Sequence, residues 1–326
     1  MPTKPALTPP AVRPLALAGI VLAIAGAGFF ATKGIVIKLA LAEGIDSVTT
    51  LTWRMIVAVP IFVAVGIIYY RRQLTTAPTG TRTRLTLGSL LQVLGVGVLG
   101  YYVASFLDFQ ALEYITAQLD RLILLTYPFF VVLLGAIFFR RKITVQMVTA
   151  LVLSYVGIAL IFAHDLTIEG EDVLLGSLLV FGAALAYAVY QLLAKPLIDR
   201  MGPQLFTSIA MSGAGPAVII HFLLTHPMSD LAVSGNGFAL MLAIGTMSTV
   251  VPAYCISGAI GLIGPERTAI IGNISPLVTV ALAIFILGEP FTIWHAAGTA
   301  LVVFGVWLFT RKQKPKTKVL EEVTSA

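Results

Sequence analysis

The chain of 326 residues is 58% hydrophobic and only 11% charged, with a mean hydropathy of +0.96, where a soluble domain carries roughly 45–50% apolar and about 25% charged residues. A water-soluble core cannot absorb that much apolar surface, so lipid must be the solvent for most of the chain. The formal charge of +6 would suit a nucleic-acid binder, but the basic residues stand at the ends of apolar runs, as they do where a membrane protein marks its cytoplasmic side; no nucleic-acid partner is expected.

The first apolar run begins near Leu15 and continues past Phe30. That is well beyond the about 7–15 residues of a signal-peptide core, so it reads as a retained span. Crossing the hydrocarbon takes about 20 residues, and a tilted helix about 25. Cutting at charges and turn residues predicts ten spans: 15–41, 47–70, 86–110, 116–139, 144–163, 173–195, 204–224, 237–260, 266–287 and 292–310. They divide the chain into an N-terminal tail (1–14), a first unit (15–163), a loop (164–172), a second unit (173–310) and a basic tail (311–326). Loops of at most about 12–15 residues leave no room for a folded domain outside the membrane.

With the N-terminus inside, the inner connections hold Lys4, Arg13, Arg71, Arg72, Arg82, Arg84, Arg140, Arg141, Lys142, Lys195, Arg200 and Arg267. The tail adds Arg311, Lys312, Lys314, Lys316 and Lys318. The outer set holds Lys38 against Glu43, Asp46, Asp165, Glu169, Glu171, Asp172, Asp230 and Glu289. The bias alternates loop by loop, so both termini are expected in the cytoplasm of a cell whose inner membrane the chain crosses. The basic tail reads as a stop segment beside anionic lipid headgroups.

The two units repeat weakly. A shift of 148 sets Pro128 on Pro276, Thr144 on Thr292 and Gly157 on Gly305. A shift of 157 sets Gly19 on Gly176, Ala27 on Ala184 and Lys38 on Lys195. Five spans per unit is an odd number, so the second unit must enter from the opposite side. The fold class expected is therefore an all-α, polytopic membrane protein of ten transmembrane helices, arranged as two inverted five-helix repeats.

The segment LEYITAQLDRLILLTYPFFVVLLGAIFFRRKIT (112–144) and the segment GPERTAIIGNISPLVTVALAIFILGEPFT (264–292) each run from a small-residue turn through a mid-span Pro to a short polar turn. On them the chain resembles the drug/metabolite transporter superfamily of the EamA-domain type, over two repeats at roughly 18–162 and 174–309. GEPFT is the ending common in that family, and RRKIT departs from it. The resemblance implies a ten-span carrier, usually an exporter, with a central cavity lined by spans 1–4 and 6–9. It also implies peripheral spans 5 and 10, where a second copy can dock as a homodimer.

Ionisable residues inside spans are rare and count as functional candidates. These are Lys33, Arg54, Asp108, and Asp120 with Arg121. Measured from their hairpin turn, Asp108 and Arg121 lie equally deep, at about 10 Å by helical rise. They are expected to pair as a structural ion bridge; the alternative makes Asp108 the acid that carries a coupling proton. Lys33 and Arg54, at about 14–17 Å, have no acidic partner at their own depth and are expected to face a polar cavity. Their excess positive charge suggests a carboxylate-bearing solute. The corresponding positions of the second repeat are mostly uncharged.

A second candidate set is aromatic and polar: Tyr101, Tyr102, Gln110, Tyr127, Tyr187, Tyr190, Gln191, Tyr254 and Asn273. Tyr187, Tyr190 and Gln191 share a helical face. Asn273 precedes Pro276 by one turn, where the helix is expected to unwind locally. His164 and His226 are placed in outer loops, and His221 and His295 near outer span ends. Without HxH or HExxH spacing no metal is expected. Cys255, alone of its kind, reads as a packed apolar side chain. Gly95, Gly97 and Gly100 read as close helix packing rather than a nucleotide loop, since no GK[ST] follows. No cofactor is expected, and energy must come from a solute or ion gradient. A small-molecule substrate and membrane lipids are the expected partners. The leading reading is a secondary exporter of a small amphipathic metabolite or drug by alternating access; import and the flipping of a lipid-linked substrate are the alternatives. An embedded enzyme would need a nucleophile–base pair or paired carboxylates at one depth, and neither is legible.

Overall fold

The computed structural model describes residues 12–76, 85–139, 144–169, 172–263, 268, 271–272 and 274–310. Asn273, the basic residues Arg82, Arg84, Arg140, Arg141, Lys142 and Arg267, the acidic Glu171, and the tails at 1–11 and 311–326 lie outside them. Within the described residues the chain is helical and has no strand. The helices are α1 (Val12–Ala42), α2 (Ser47–Thr76), α3 (Leu87–Ala111), α4 (Ala117–Phe138), α5 (Val145–Glu169), α6 (Asp172–Met201), α7 (Pro203–Thr225), α8 (Gly235–Ala259), α9 (Ser275–Leu287) and α10 (Ile293–Thr310). The first eight are long and apolar enough to cross a membrane; α9 and α10 are shorter apolar helices. Large apolar side chains such as Leu178, Leu224, Phe138 and Phe285 stand exposed around the bundle. This is a multi-pass membrane protein whose outer surface is built for lipid.

Local chemistry fixes where the helices begin. Gly44 turns the chain at φ 79, and the Asp46 carboxylate accepts from the Val48 and Thr49 amides at 2.9 Å each to open α2. Thr86 and Ser89 form a capping box on α3. Thr116 caps α4 through the Leu119 amide. The Glu289 carboxylate, from the far end of the chain, takes the free amides of Ala117 (2.7 Å) and Gln118 (3.2 Å) at the same helix start. The acid of the GEPFT motif is thus a helix cap supplied in trans. Ser234 caps α8, and Pro203 follows Gly202 (φ 81) at the start of α7.

Four departures from regular helix matter for the site. α3 passes through a π-helical turn at Val98–Val103, and α8 through another at Thr246–Val250. α4 breaks between Leu124 and Tyr127, just before Pro128. The helix of the second unit restarts at Ser275, just before Pro276.

The helices meet in exchanged pairs. α1 packs on α8 as α6 packs on α3, and α1 packs on α9 as α6 packs on α4. α3 packs on α7 as α8 packs on α2, while α2 meets α7 and α5 meets α10. Close approach depends on glycine: a Cβ on Gly157 of α5 would sit 2.5 Å from the Gly298 carbonyl oxygen of α10, and the reverse holds equally. The three glycines of α3 are not alike. A Cβ at Gly97 would lie 2.1 Å from the Ala210 oxygen and one at Gly100 would strike the Tyr190 ring, whereas Gly95 faces open space. Uniform close packing is therefore corrected to two of the three.

The connections at 43–46, 112–116, 226–234 and 288–292 gather on one face, tied by Ser234 donating to Glu43 at 3.3 Å and His226 beside Asp46 at 3.4 Å. Glu43, Asp46, Glu113, Asp165, Asp230 and Glu289 all belong to that end. Arg71, Arg72, Lys195 and Arg200 stand at the other, where Lys195 pairs with Asp199.

Candidate functional site

Four helices of the first unit bring five ionisable side chains into the interior: Lys33 from α1, Arg54 from α2, Asp108 from α3, and Asp120 with Arg121 from α4. Each is no more than 6% exposed. A charge held there needs partners, since hydrocarbon offers none.

The Lys33 ammonium donates to Asp108 Oδ2 at 2.6 Å. This corrects two expectations. Asp108 pairs with Lys33 and not with Arg121, and Lys33 does have an acidic partner. Helical rise along hairpins placed the two a few ångströms apart in depth, but the flexible lysine stem covers that difference. Hairpin geometry also says nothing of contacts between α1 and α3. Arg121 instead lies over the Phe30 ring, 5.1 Å from its centre, with Nη2 3.5 Å from the Phe30 carbonyl oxygen. Its Nε, Asp108 Oδ1 and Asp120 Oδ1 are buried without a hydrogen-bond partner. Asp120 lies within electrostatic reach of Asp108, Arg121, Lys33 and Lys38.

Arg54 is held in a fork. Its Nε donates to Thr249 Oγ1 and its Nη1 to Ser105 Oγ, both at 2.9 Å, and the guanidinium stands 5.5 Å from the Phe109 ring centre. Lys33 lies over the same ring at 5.8 Å. Among the described residues the second unit meets this region with hydroxyls: Thr249 accepts from Arg54, Ser248 pairs with Thr32 at 2.8 Å beside Lys33, and Thr279 donates to the Ala31 carbonyl at 3.1 Å. Ser248 and Thr249 both sit on the π turn of α8, where Thr249 Oγ1 also reaches the Ile244 carbonyl five residues back. Hydropathy gave these hydroxyls no signal, because Ser and Thr pass unnoticed inside an apolar run.

The π turn of α3 presents Tyr101 and Tyr102. The Tyr190 hydroxyl donates to Tyr101 at 3.0 Å. Tyr187 stacks on Tyr190 with centres 5.5 Å apart, and Tyr127 meets Tyr187 edge-on at 5.0 Å. Gln191 hydrogen-bonds Tyr187, and Thr207 bonds Tyr101. Tyr101 is also the electrostatic neighbour of Arg54, so it joins the aromatic group to the charged one. Tyr254 pairs with Ser208 at 3.0 Å and leans on Phe62. Tyr102 lies half-buried against Phe106 and His221. Gln110 is apart from the cluster, bonded to Glu113 and Ser47 at the end of α3. Asn273 is outside the described residues.

His164 lies within α5 rather than in a loop. His295 stands at the start of α10, near a span end as expected, and is 1% exposed. A groove of about 450 Å³ lined by Leu277, Phe291, Phe304 and Trp307 creases the outside of α9 and α10; it is apolar and remote from the charged cluster.

The sequence profile of the EamA-like transporter family matches residues 17–163 and again 174–311. The chain is 27% identical over 301 residues to the uncharacterized transporter YcbK of Bacillus subtilis (strain 168), covering 89% of this chain and 91% of that one. It is 25% identical over 239 residues to an uncharacterized transporter of Archaeoglobus fulgidus, covering 71% and 81%. A solved crystal structure shares the fold with a TM-score of 0.57 at 17% identity, across 90% of this chain and 96% of that one.

Proposed function

The chain belongs to the EamA-like transporter family, and on that premise we propose that it is a secondary exporter of a small amphipathic organic solute bearing a carboxylate, coupled to protons and working by alternating access. The observation that carries this reading is the buried Lys33–Asp108 bridge flanked by Arg54 and Arg121. Three cations share two carboxylates there, so the cluster is short of one negative charge when all are ionised.

The arrangement supplies a coupling step. While Asp108 is ionised it occupies Lys33. Protonation of Asp108 would break the charge pairing and leave Lys33 and Arg54 to hold a solute carboxylate. Binding of the anion and binding of the proton would then favour each other. Cooperative binding moves proton and anion together, so export by this step would be driven by the solute's own outward gradient, while proton antiport would require the two to compete. The tyrosines Tyr101, Tyr187 and Tyr190 would take the apolar or cationic remainder of the solute by stacking.

We count ten spans, with α9 belonging to the ninth, and read the two units as inverted repeats. The exchanged helix pairs favour this. So does the spacing of the π turns, since Val98 and Thr246 stand 148 residues apart, the interval that aligns Pro128 with Pro276. Under the 157-residue shift Lys33 corresponds to Tyr190. The aromatic group is then the inverted image of the charged one, and the cavity has two unlike poles. Both termini are assigned to the cytoplasm of the inner membrane, from the basic inner loops.

The test is a thermal-shift screen of purified protein against organic acids, amino acids, organic cations and nucleosides, followed by flux in proteoliposomes. A ligand of the folded state raises its melting temperature. Carboxylates should do so, and Arg54→Gln should abolish the shift while Asp108→Asn leaves transport without pH dependence. If only lipids shift the melt, the chain is a lipid-linked flippase and this reading fails. Flux with the solute gradient reversed decides between export and import.

A further inference from the structure

His164, Asp165 and His295 form a cluster that transport through the central cavity does not use. His164 and Asp165 are consecutive near the end of α5, and His295 is in the first turn of α10. One ligand atom from each lies within 4.8 Å of the others. His295 is 1% exposed and Asp165 3%.

The geometry between His295 and Asp165 is unusual for a hydrogen-bonded pair. Nε2 and Oδ1 are 3.1 Å apart, yet His295 Nε2 makes no hydrogen bond, and Asp165 Oδ2 is likewise buried without one. Two ligands on a tetrahedral Zn2+, each at about 2.0–2.2 Å, lie about 3.3 Å from each other. The observed separation and the missing hydrogen bond both fit atoms arranged around a shared ion. The other ring nitrogen is already engaged, since His295 Nδ1 is 2.9 Å from Thr292 Oγ1 and 3.3 Å from the Thr292 amide. Here the Thr292 amide donates to Nδ1, which places the ring proton on Nε2; binding an ion at Nε2 would move that proton to Nδ1, where it would donate to Thr292 Oγ1 and the amide contact would be given up. Glu289 is electrostatically close to both Asp165 and His295, but its oxygens are committed to the start of α4.

We propose that His164, Asp165 and His295 bind one divalent transition-metal ion of the Zn2+ class, which joins the first unit to the second at the α5–α10 seam. Two imidazoles and a carboxylate select Zn2+, Co2+ or Ni2+ over Mg2+ and Ca2+. Three protein ligands leave a fourth position for water or an anion. Sequence alone gave no hint, because two ligands are adjacent and the third is 130 residues away.

The experiment uses the full chain without an affinity tag, stripped with chelator, in detergent. Zn2+ is titrated by calorimetry with melting as a second readout, and Co2+ absorption reports the ligand set. One saturable equivalent per chain, a raised melting temperature, and at least tenfold weaker binding in both His295→Ala and Asp165→Asn are expected. His226→Gln, which removes the separate His226–Asp46 contact, should change nothing. Should the buried variants not fold, His164→Gln on the half-buried ligand decides by the same tenfold criterion. Absence of saturable binding in the wild type, or unchanged affinity in the ligand variants, overturns the site.

Discussion

Lys33 and Asp108 show what a single pair decides. Removing one partner from a buried ion pair costs about 3–5 kcal/mol, because the other charge is stranded, whereas replacing both by apolar groups is often near neutral. Lys33→Met and Asp108→Leu are each expected to destabilise strongly, and the double variant to recover most of the loss. The same cycle between Asp108 and Arg121 should be close to additive. Unfolding of the purified variants in detergent measures both, and additivity at 33 and 108 would mean the bridge is not formed. The ionisable residues themselves were legible, since a charge in an apolar run stands out. Their partners were not. Sequence gives depth along one helix but not which helix lies across the gap, so Asp108 was assigned to its hairpin neighbour. Thr249 and Ser105, which hold Arg54, carry no charge and left no mark.

At the scale of the helix, hydropathy finds the eight helices that are long and apolar enough to cross lipid, because the length needed is fixed. It does not reveal what happens inside them. The π turns of α3 and α8 have no composition of their own, yet they aim Tyr101, Ser248 and Thr249 inward. Likewise, Glu289 reads as a loop acid and proves to be the cap of a helix 172 residues earlier. The glycines of α3 give a clean test. Gly97→Ala drives a Cβ against the Ala210 carbonyl of α7, and overpacking of that kind costs about 1–3 kcal/mol. Gly95→Ala meets open space and gains helix propensity, by up to about 1 kcal/mol. Thermal unfolding should therefore separate two substitutions that differ only by two positions. Equal effects would mean that α3 does not approach α7 as closely as described.

For the molecule as a whole, the charge bias of the loops is the most informative feature of the sequence, because it is a property of the sum and survives errors in any one boundary. Among the described residues most acids stand at one end of the bundle and Arg71, Arg72, Lys195 and Arg200 at the other, and which end faces the cytoplasm is what labelling decides. In a Cys255→Ser background, single cysteines at Thr79 and Gly170 are expected to react with an impermeant reagent from opposite sides, Thr79 from the cytoplasm. Labelling from the same side would overturn the proposed topology. The weak repeat was legible through Pro128 and Pro276, and the exchanged helix pairs give it a spatial meaning that aligned letters lack. The seam between α5 and α10 was read only as a periphery. Its glycines were visible, but the histidines and Asp165 beside them belong to opposite ends of the alignment.

The surplus positive charge of the buried cluster has an electrical consequence. A membrane potential acts on every charge that shifts within it, with about 2.3 kcal/mol for one charge carried across 100 mV. An empty carrier that reorients with the buried Lys33, Arg54 and Arg121 set against the buried Asp108 and Asp120 moves one net charge through part of that field. A carboxylate that binds together with a proton on Asp108 leaves that charge unchanged, whereas one that binds without the proton cancels it. Transient currents that persist at saturating solute would therefore mark the proton-coupled cycle, and currents that vanish there would mean that the anion moves without its proton.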